Sequence, residues 1–208
     1  MSGAVPSRPA LTALAVADSP ERWAALGFTV SDGTVSLDGL SIELGASGRG
    51  ITGWTLTGTD GRDDIAGLPT TRRENATDLG AKSLRVQHPN SAIGVDHVVI
   101  VTPDFDATAA ALEAAFMPLR RIRHAGERRQ GFRRLGPAIM EIVEAPEARA
   151  THFWGLTVVV ADLDRARERT GGHLSPARPA VQPGRRIATL AREAGLSTRL
   201  AFMDPEGQ

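Results

Sequence analysis

Short apolar runs recur along this chain in a repeating order: a strand, a helix opened by a capping residue, then shorter strands set off by turn residues. Strands of four to eight apolar or alternating residues and helices with a 3.6-residue period leave distinct traces, so the order is readable. The pattern is clearest at Asp96-His97-Val98-Val99-Ile100-Val101, a short apolar strand with one imidazole near its start. Pro103-Asp104-Phe105-Asp106 follows, with proline ending the strand and Asp104 suited to cap a helix. Phe105, Leu112 and Phe116 then fall at helical spacing before Pro118. Leu119 to Arg123, Gly131 to Leu135 and Ala138 to Val143 read as short strands, punctuated by Gly126 and Gly136-Pro137.

The same order returns downstream. Phe153 to Val160 is a strand, Asp162-Leu163-Asp164 opens a helix, and Gly171-Gly172 stops it. Arg186 to Leu190 and Thr198 to Met203 are late strands. Setting Asp104 on Asp162 fixes a register in which Gly155 stands where His97 does, and Leu200 where Glu141 does. A looser copy lies upstream: a strand over Leu11 to Ala17, a helix opened by Ser19-Pro20-Glu21, then strands over Phe28 to Val30, Thr34 to Leu37, Leu40 to Leu44 and Ile51 to Leu56. Thr57 to Val95 is rich in glycine, threonine, aspartate, asparagine and arginine and has no sustained period. It reads as a surface linker or a functional loop.

These readings predict an α+β protein of repeated βαβββ units. Residues 1–10 form a disordered tail, 11–57 a first unit, 58–95 an irregular linker, 96–145 a second unit and 153–204 a third. The second and third make up one domain over 96–204. The first unit is left odd, so its exposed edge and face should pack on the pair or on a second copy, which makes a homodimer an expectation.

Composition narrows the function. The 208 residues carry equal numbers of acidic and basic side chains, so nothing draws the whole protein to nucleic acid or an anionic membrane. There is no cysteine, which removes disulfides and thiolate chemistry. No apolar run approaches the ~20 residues of a membrane span, and Met1 to Pro9 lacks a secretory apolar core. A cytoplasmic protein is the expectation.

The ordered set Gly94-Val95-Asp96-His97-Val98-Val99-Ile100, Arg129-Gln130-Gly131-Phe132, Met140-Glu141-Ile142-Val143, Phe153 to Asp164, Gln182-Pro183-Gly184-Arg185-Arg186 and Leu200-Ala201-Phe202-Met203-Asp204-Pro205 resembles the vicinal oxygen chelate superfamily. That superfamily groups glyoxalases, bleomycin-resistance proteins and extradiol dioxygenases; the likeness is to a glyoxalase-like group common in high-GC actinobacteria. It covers Gly94 to Pro205 well and Leu11 to Leu44 weakly. The resemblance implies that the second and third units pair, their curled mixed sheet forming a cup with a divalent metal (Zn, Mn, Fe or Ni) at its base, held from the first and last strands of each unit. Carried over, His97 and Glu141 match ligand positions in the second unit and Glu43 a last-strand position in the first. Gly155 and Leu200 cannot serve in the third.

An imidazole and a carboxylate also suit acid–base work. His97 and Glu141 are therefore candidates for catalysis or metal binding, weighed against an ordinary hydrogen-bonded pair. His88, just before the organising strand, could add a third ligand at the cup mouth. Glu144, three residues beyond Glu141, belongs on the opposite strand face. Arg129, Gln130, Phe132, Trp154 and Arg186 are candidates for contacting an anionic substrate, since arginine forks match carboxylates; solvated hairpin arginines are the plainer alternative. Three functions stay open: an isomerase- or lyase-type proton-transfer enzyme without a complete four-ligand metal site, a metal-dependent glyoxalase- or dioxygenase-type enzyme, and a non-catalytic protein that sequesters a drug or toxin. A small-molecule ligand is common to all three.

Overall fold

A computed structural model describes residues 8–59, 61–73 and 86–206. The expected tail over 1–10 falls mostly outside them, as does the middle of the expected linker. Among these described residues, two mixed sheets and three α-helices are built on one continuous core.

The larger sheet carries the organising strand. It comprises β7 (Ala92–Thr102), β8 (Arg121–Ala125), β9 (Arg128–Leu135), β10 (Ala138–Glu144), β11 (His152–Val160), β12 (Arg178–Pro179), β13 (Arg186–Thr189) and β14 (Arg199–Met203). Helix α2 (Phe105–Ala114) follows β7 and α3 (Leu163–Arg169) follows β11. The strand order is β12-β13-β14-β11-β7-β10-β9-β8. Each unit's first and last strands run parallel, and the two first strands, β7 and β11, run antiparallel at the centre. This is the α+β pairing of βαβββ units that the repeat predicts.

Two of the caps form as read: Asp104 accepts a hydrogen bond from the Ala107 backbone N–H, and Asp162 accepts from Asp164 and Arg165. Ser19 stands at the N-cap of its helix but makes no side-chain cap bond. Helix α2 stops at Ala114, short of Phe116. Phe116 sits in a left-handed turn (φ 64°) and is 56% exposed, while Met117 takes the buried place expected for it.

The smaller sheet comprises β1 (Ala10–Val16), β2 (Thr34–Leu37), β3 (Leu40–Leu44), β4 (Ile51–Thr57), β5 (Asp64–Ile65) and β6 (Leu68–Arg72), with α1 (Pro20–Ala25) after β1. Its order is β2-β3-β1-β4-β6-β5. Phe28 to Val30, expected as a strand, is irregular. The stretch 58–95 is not wholly irregular either, since it holds β5, β6 and the start of β7. Glycine-rich turns and threonines mask β6, which is fixed by pairing with β4 and by the Trp54 indole donating to Thr70 Oγ1 at 2.7 Å.

The relations within the two sheets match strand for strand. β1 is parallel to β3 and antiparallel to β4, as β7 is to β10 and β11. β4 is parallel to β6, as β11 is to β14. The smaller sheet thus repeats the central strand order of the larger one in abbreviated form. Its apolar face packs within the chain: Trp54 meets Phe153 edge-on with ring centroids at 5.3 Å, and Phe28 lies 6.0 Å from Phe202. The face that suggested a second copy is covered by the larger sheet.

Candidate functional site

Residues paired across strands share a face of the sheet. On the larger sheet, Ile142 lies opposite Gly131, and a Cβ on Gly131 would meet Phe105 of α2 and Leu119. That side is packed under the helices. The other side is open. It carries His97, which pairs with Ile139 on one flank and Thr157 on the other. Glu141 shares this side, two positions along and next to Phe132.

His97 and Glu141 are brought together as the sequence suggests. Nε2 of His97 lies 3.8 Å from Glu141 Oε2, too far for a hydrogen bond. The Thr157 hydroxyl stands 3.1 Å from the same nitrogen. On the other side of the ring, Nδ1 lies 2.8 Å from Asp96 Oδ2. Asp96 is itself 2.7 Å from Nη1 of Arg185, whose side chain is only 3% exposed. Four ionisable groups therefore run in line: Arg185, Asp96, His97, Glu141.

The sequence does not single out Asp96, and it offers Arg185 only as one of several hairpin arginines that could meet an anionic substrate. Adjacent strand residues normally face opposite sides. Here the β7–β11 register slips at this point, with Thr157 opposite His97 but Val158 opposite Val95. The extra residue lets the Asp96 carboxylate turn to its neighbour's ring. Asp-His beside a bulge is a weak sequence signal, and Arg185 was hidden in an arginine-rich hairpin.

Burial opposes ionisation of Asp96, but the bonds from His97 and Arg185 outweigh it and hold the carboxyl below the ordinary range. An ionised Asp96 only accepts, so Nδ1 of His97 must carry a proton toward it. In the neutral ring, Nε2 is then left as the acceptor facing Thr157 and Glu141. Glu141 is shifted the other way: burial raises it, against the pull of His97 and Arg123 and with a further push from Asp96. A carboxyl poised toward neutrality beside an oriented imidazole can hold one proton between them and take or give one at a substrate.

Among the proposed ligand contacts, Gln130 and Phe132 share the open side with Glu141. They hold an unforeseen partner, Arg123, which donates from Nε to Gln130 Oε1 at 2.7 Å and lies 5.0 Å over the Phe132 ring. Trp154 is 45% exposed, with the Arg199 guanidinium 5.0 Å over its ring. Arg129 instead pairs with Glu144 and Asp106 and lies over Phe105, on the helix side. Arg186 pairs with Asp204 and Asp164. Both guanidinium groups are occupied by the protein's own carboxylates. Glu144 takes the opposite face from Glu141, as the strand period requires.

The donor set does not fit a resident metal. His97 and Glu141 offer two atoms, and no group of three or more histidine, aspartate or glutamate side chains arranged to hold an ion occurs among the described residues. Glu43 is exposed on β3, in the other sheet. His88 is buried with both ring nitrogens used: Nδ1 accepts from the Thr29 backbone N–H, and Nε2 donates to the Ser36 carbonyl. In the third unit, the residue opposite Thr157 is Ala201; Leu200, the counterpart expected for Glu141, faces the core with 2% exposure. A one-residue slip of register exchanges the faces. Gly155 is held as glycine by packing, since a Cβ there would stand 2.5 Å from the Arg199 carbonyl oxygen.

A cavity of about 310 Å³ opens near the start of β7, lined by Ile93, Val95, Pro137 and Val159 among others. His97 and Glu141 do not line it. No helix among the described residues is long and apolar enough to cross a membrane.

No protein-family model matches the chain, and comparison with curated proteins finds no match. Solved structures are similar in part. Methylmalonyl-CoA epimerase from Mycobacterium tuberculosis aligns at 17% identity over 56% of this chain and 91% of its own, with a TM-score of 0.46. A Streptomyces coelicolor methylmalonyl-CoA epimerase variant in complex with 2-nitronate-propionyl-CoA aligns at 16% identity over 56% of this chain and 97% of its own, with a TM-score of 0.46. A hypothetical protein from Bacillus halodurans aligns at 15% identity over 55% of this chain and 95% of its own, with a TM-score of 0.45.

Proposed function

We propose that this chain binds a small organic anion on the open side of its eight-stranded sheet and moves a proton on it, without a complete four-ligand metal site. The line Arg185–Asp96–His97–Glu141 carries this reading. His97, fixed by Asp96 with Nε2 bare, is the base that removes a proton from a carbon next to a carbonyl and returns it to carbon. Glu141, held toward its neutral form by burial, donates its proton to the developing oxyanion and takes it back as the carbonyl re-forms. Such transfers contribute ~10²–10⁴-fold in rate when acid and base are positioned. Arg123, steadied by Gln130 and Phe132, supplies the positive charge for a carboxylate on the ligand. The reaction class is an isomerisation or lyase-type elimination.

The test is deuterium wash-in. The purified protein is incubated in D₂O with pyruvate, 2-oxobutyrate or levulinate, and exchange of the C–H beside the carbonyl is followed by NMR. Exchange that falls at least ~10²-fold in Glu141→Gln and in His97→Gln supports the reading. Equal exchange in both variants overturns it. Saturable binding of these acids with no exchange favours a sequestering protein instead.

A further inference from the structure

We infer that Arg185 is a positioning residue for His97, acting through Asp96. The inference rests on the reading of His97 as a proton-handling group, and it names what sets that group's orientation.

Arg185 stands just before β13, and its guanidinium is gripped at two points. Nε donates to the Asp204 carbonyl at 2.7 Å, and Nη1 meets Asp96 Oδ1 at 2.7 Å. The first contact anchors the fork to the end of β14. The second takes one oxygen of Asp96, leaving the other for His97 Nδ1. The carboxylate is thereby held by both oxygens and cannot swing off the ring. The next residue, Arg186, uses the Asp204 carboxylate instead, so neighbouring arginines divide one residue's backbone and side chain between them.

Stability alone gives no reason for this pair. Taking a guanidinium and a carboxylate out of water is costly, and apolar side chains of similar volume often serve as well or better. The arrangement does give His97 a fixed tautomer. With Asp96 charged and immobile, the ring presents a bare Nε2 to Thr157 and Glu141. Without the guanidinium, Asp96 is a buried, half-satisfied carboxylate that can take up a proton and donate to Nδ1, which moves the ring proton to Nε2.

The tautomer can be read directly, with no ligand. NMR of protein labelled with ¹⁵N in the histidine rings, with the His97→Gln variant used for assignment, distinguishes Nδ1–H from Nε2–H. The wild type is expected to show Nδ1 protonated and slow to exchange with water. Arg185→Met and Asp96→Asn are both expected to lose that signal, and Arg185→Lys, which can reach one of the two contacts, to restore part of it. Should Arg185→Met fail to fold, Arg185→Lys and Asp96→Asn decide the matter, because both keep the site polar. A folded Arg185→Met or Asp96→Asn protein with the wild-type His97 tautomer overturns the inference. That result leaves the proton-transfer reading standing, since wash-in of deuterium tests it separately.

Discussion

Arg129 and Arg186 hold equivalent posts in the two units of the larger sheet. Each ties an aspartate in its helix's first turn, Asp106 or Asp164, to a carboxylate at the end of its last strand, Glu144 or Asp204. The first-unit clasp is tighter, because Glu144 also accepts from the Arg129 backbone N–H. Its hydrogen bonds to Arg129, side chain first, hold Glu144 at about 2, against an ordinary 4.5. A lowered folded-state value means that the stabilisation is complete above about 4.5 and is lost as pH falls toward about 2. Arg129→Met should flatten the acid limb of the urea-unfolding profile across that window by about one proton's uptake. Arg186→Met should change it less, since its side chain is half exposed and its contact to Asp164 reaches 3.5 Å.

Glu141 has the opposite sign. Its folded value is raised by burial, so it favours folding only while protonated, and the native state loses stability as pH rises through that value. Glu141→Gln should therefore raise the melting temperature at neutral pH, by roughly 2–4 °C if the gain is ~1 kcal/mol, and remove proton-transfer activity. A lower melting temperature at pH 7 with unchanged activity would contradict both roles.

His88 gives a second pH dependence. Burial lowers it from its ordinary value, against the hydrogen bond to Ser36. The stabilisation is present above about 6.5 and declines as pH falls below it, because a charged ring must lose its bond from Thr29. His88→Ala should cost about 2–3 kcal/mol in denaturant unfolding, by leaving a buried N–H and C=O unmatched and a void beside Phe28.

Gly155→Ala should destabilise by ~1–3 kcal/mol. Elsewhere in a strand, replacing glycine by alanine is ordinarily favourable by about 0.5–1 kcal/mol. The reversal comes from the Arg199 carbonyl against the new Cβ. For the same reason Gly155→His should not supply the ligand that the third unit lacks, and its divalent-ion affinity by calorimetry should stay at the wild-type level.

The sequence made the repeat legible because its signals are local: Asp104 and Asp162 cap their helices, and period-2 strands surround them. The His97–Glu141 pair was legible only through the family resemblance, whose first- and last-strand positions the two residues match. The sequence hid Asp96, because a bulge overrides the strand period at one residue. It misplaced Arg129 and Arg186 because a charged side chain in a hairpin carries no mark of whether it meets a ligand or its own chain's carboxylates. Strand β6 was hidden for a related reason: its partner β4 lies across a glycine-rich stretch, and pairing rather than propensity makes it a strand.

The buried carboxylate of Asp18 accepts hydrogen bonds from the backbone N–H groups of Ser197 and Thr198, and these outweigh burial and hold it below its ordinary value. The partners lie 179 and 180 residues further along the chain. During synthesis the carboxylate is therefore left to water until those residues have emerged. The smaller sheet can condense early around its own apolar residues, but this link to the larger sheet closes only as β14 arrives. A ribosome stalled before Thr198 would hold a chain whose first half is still negotiating its final position.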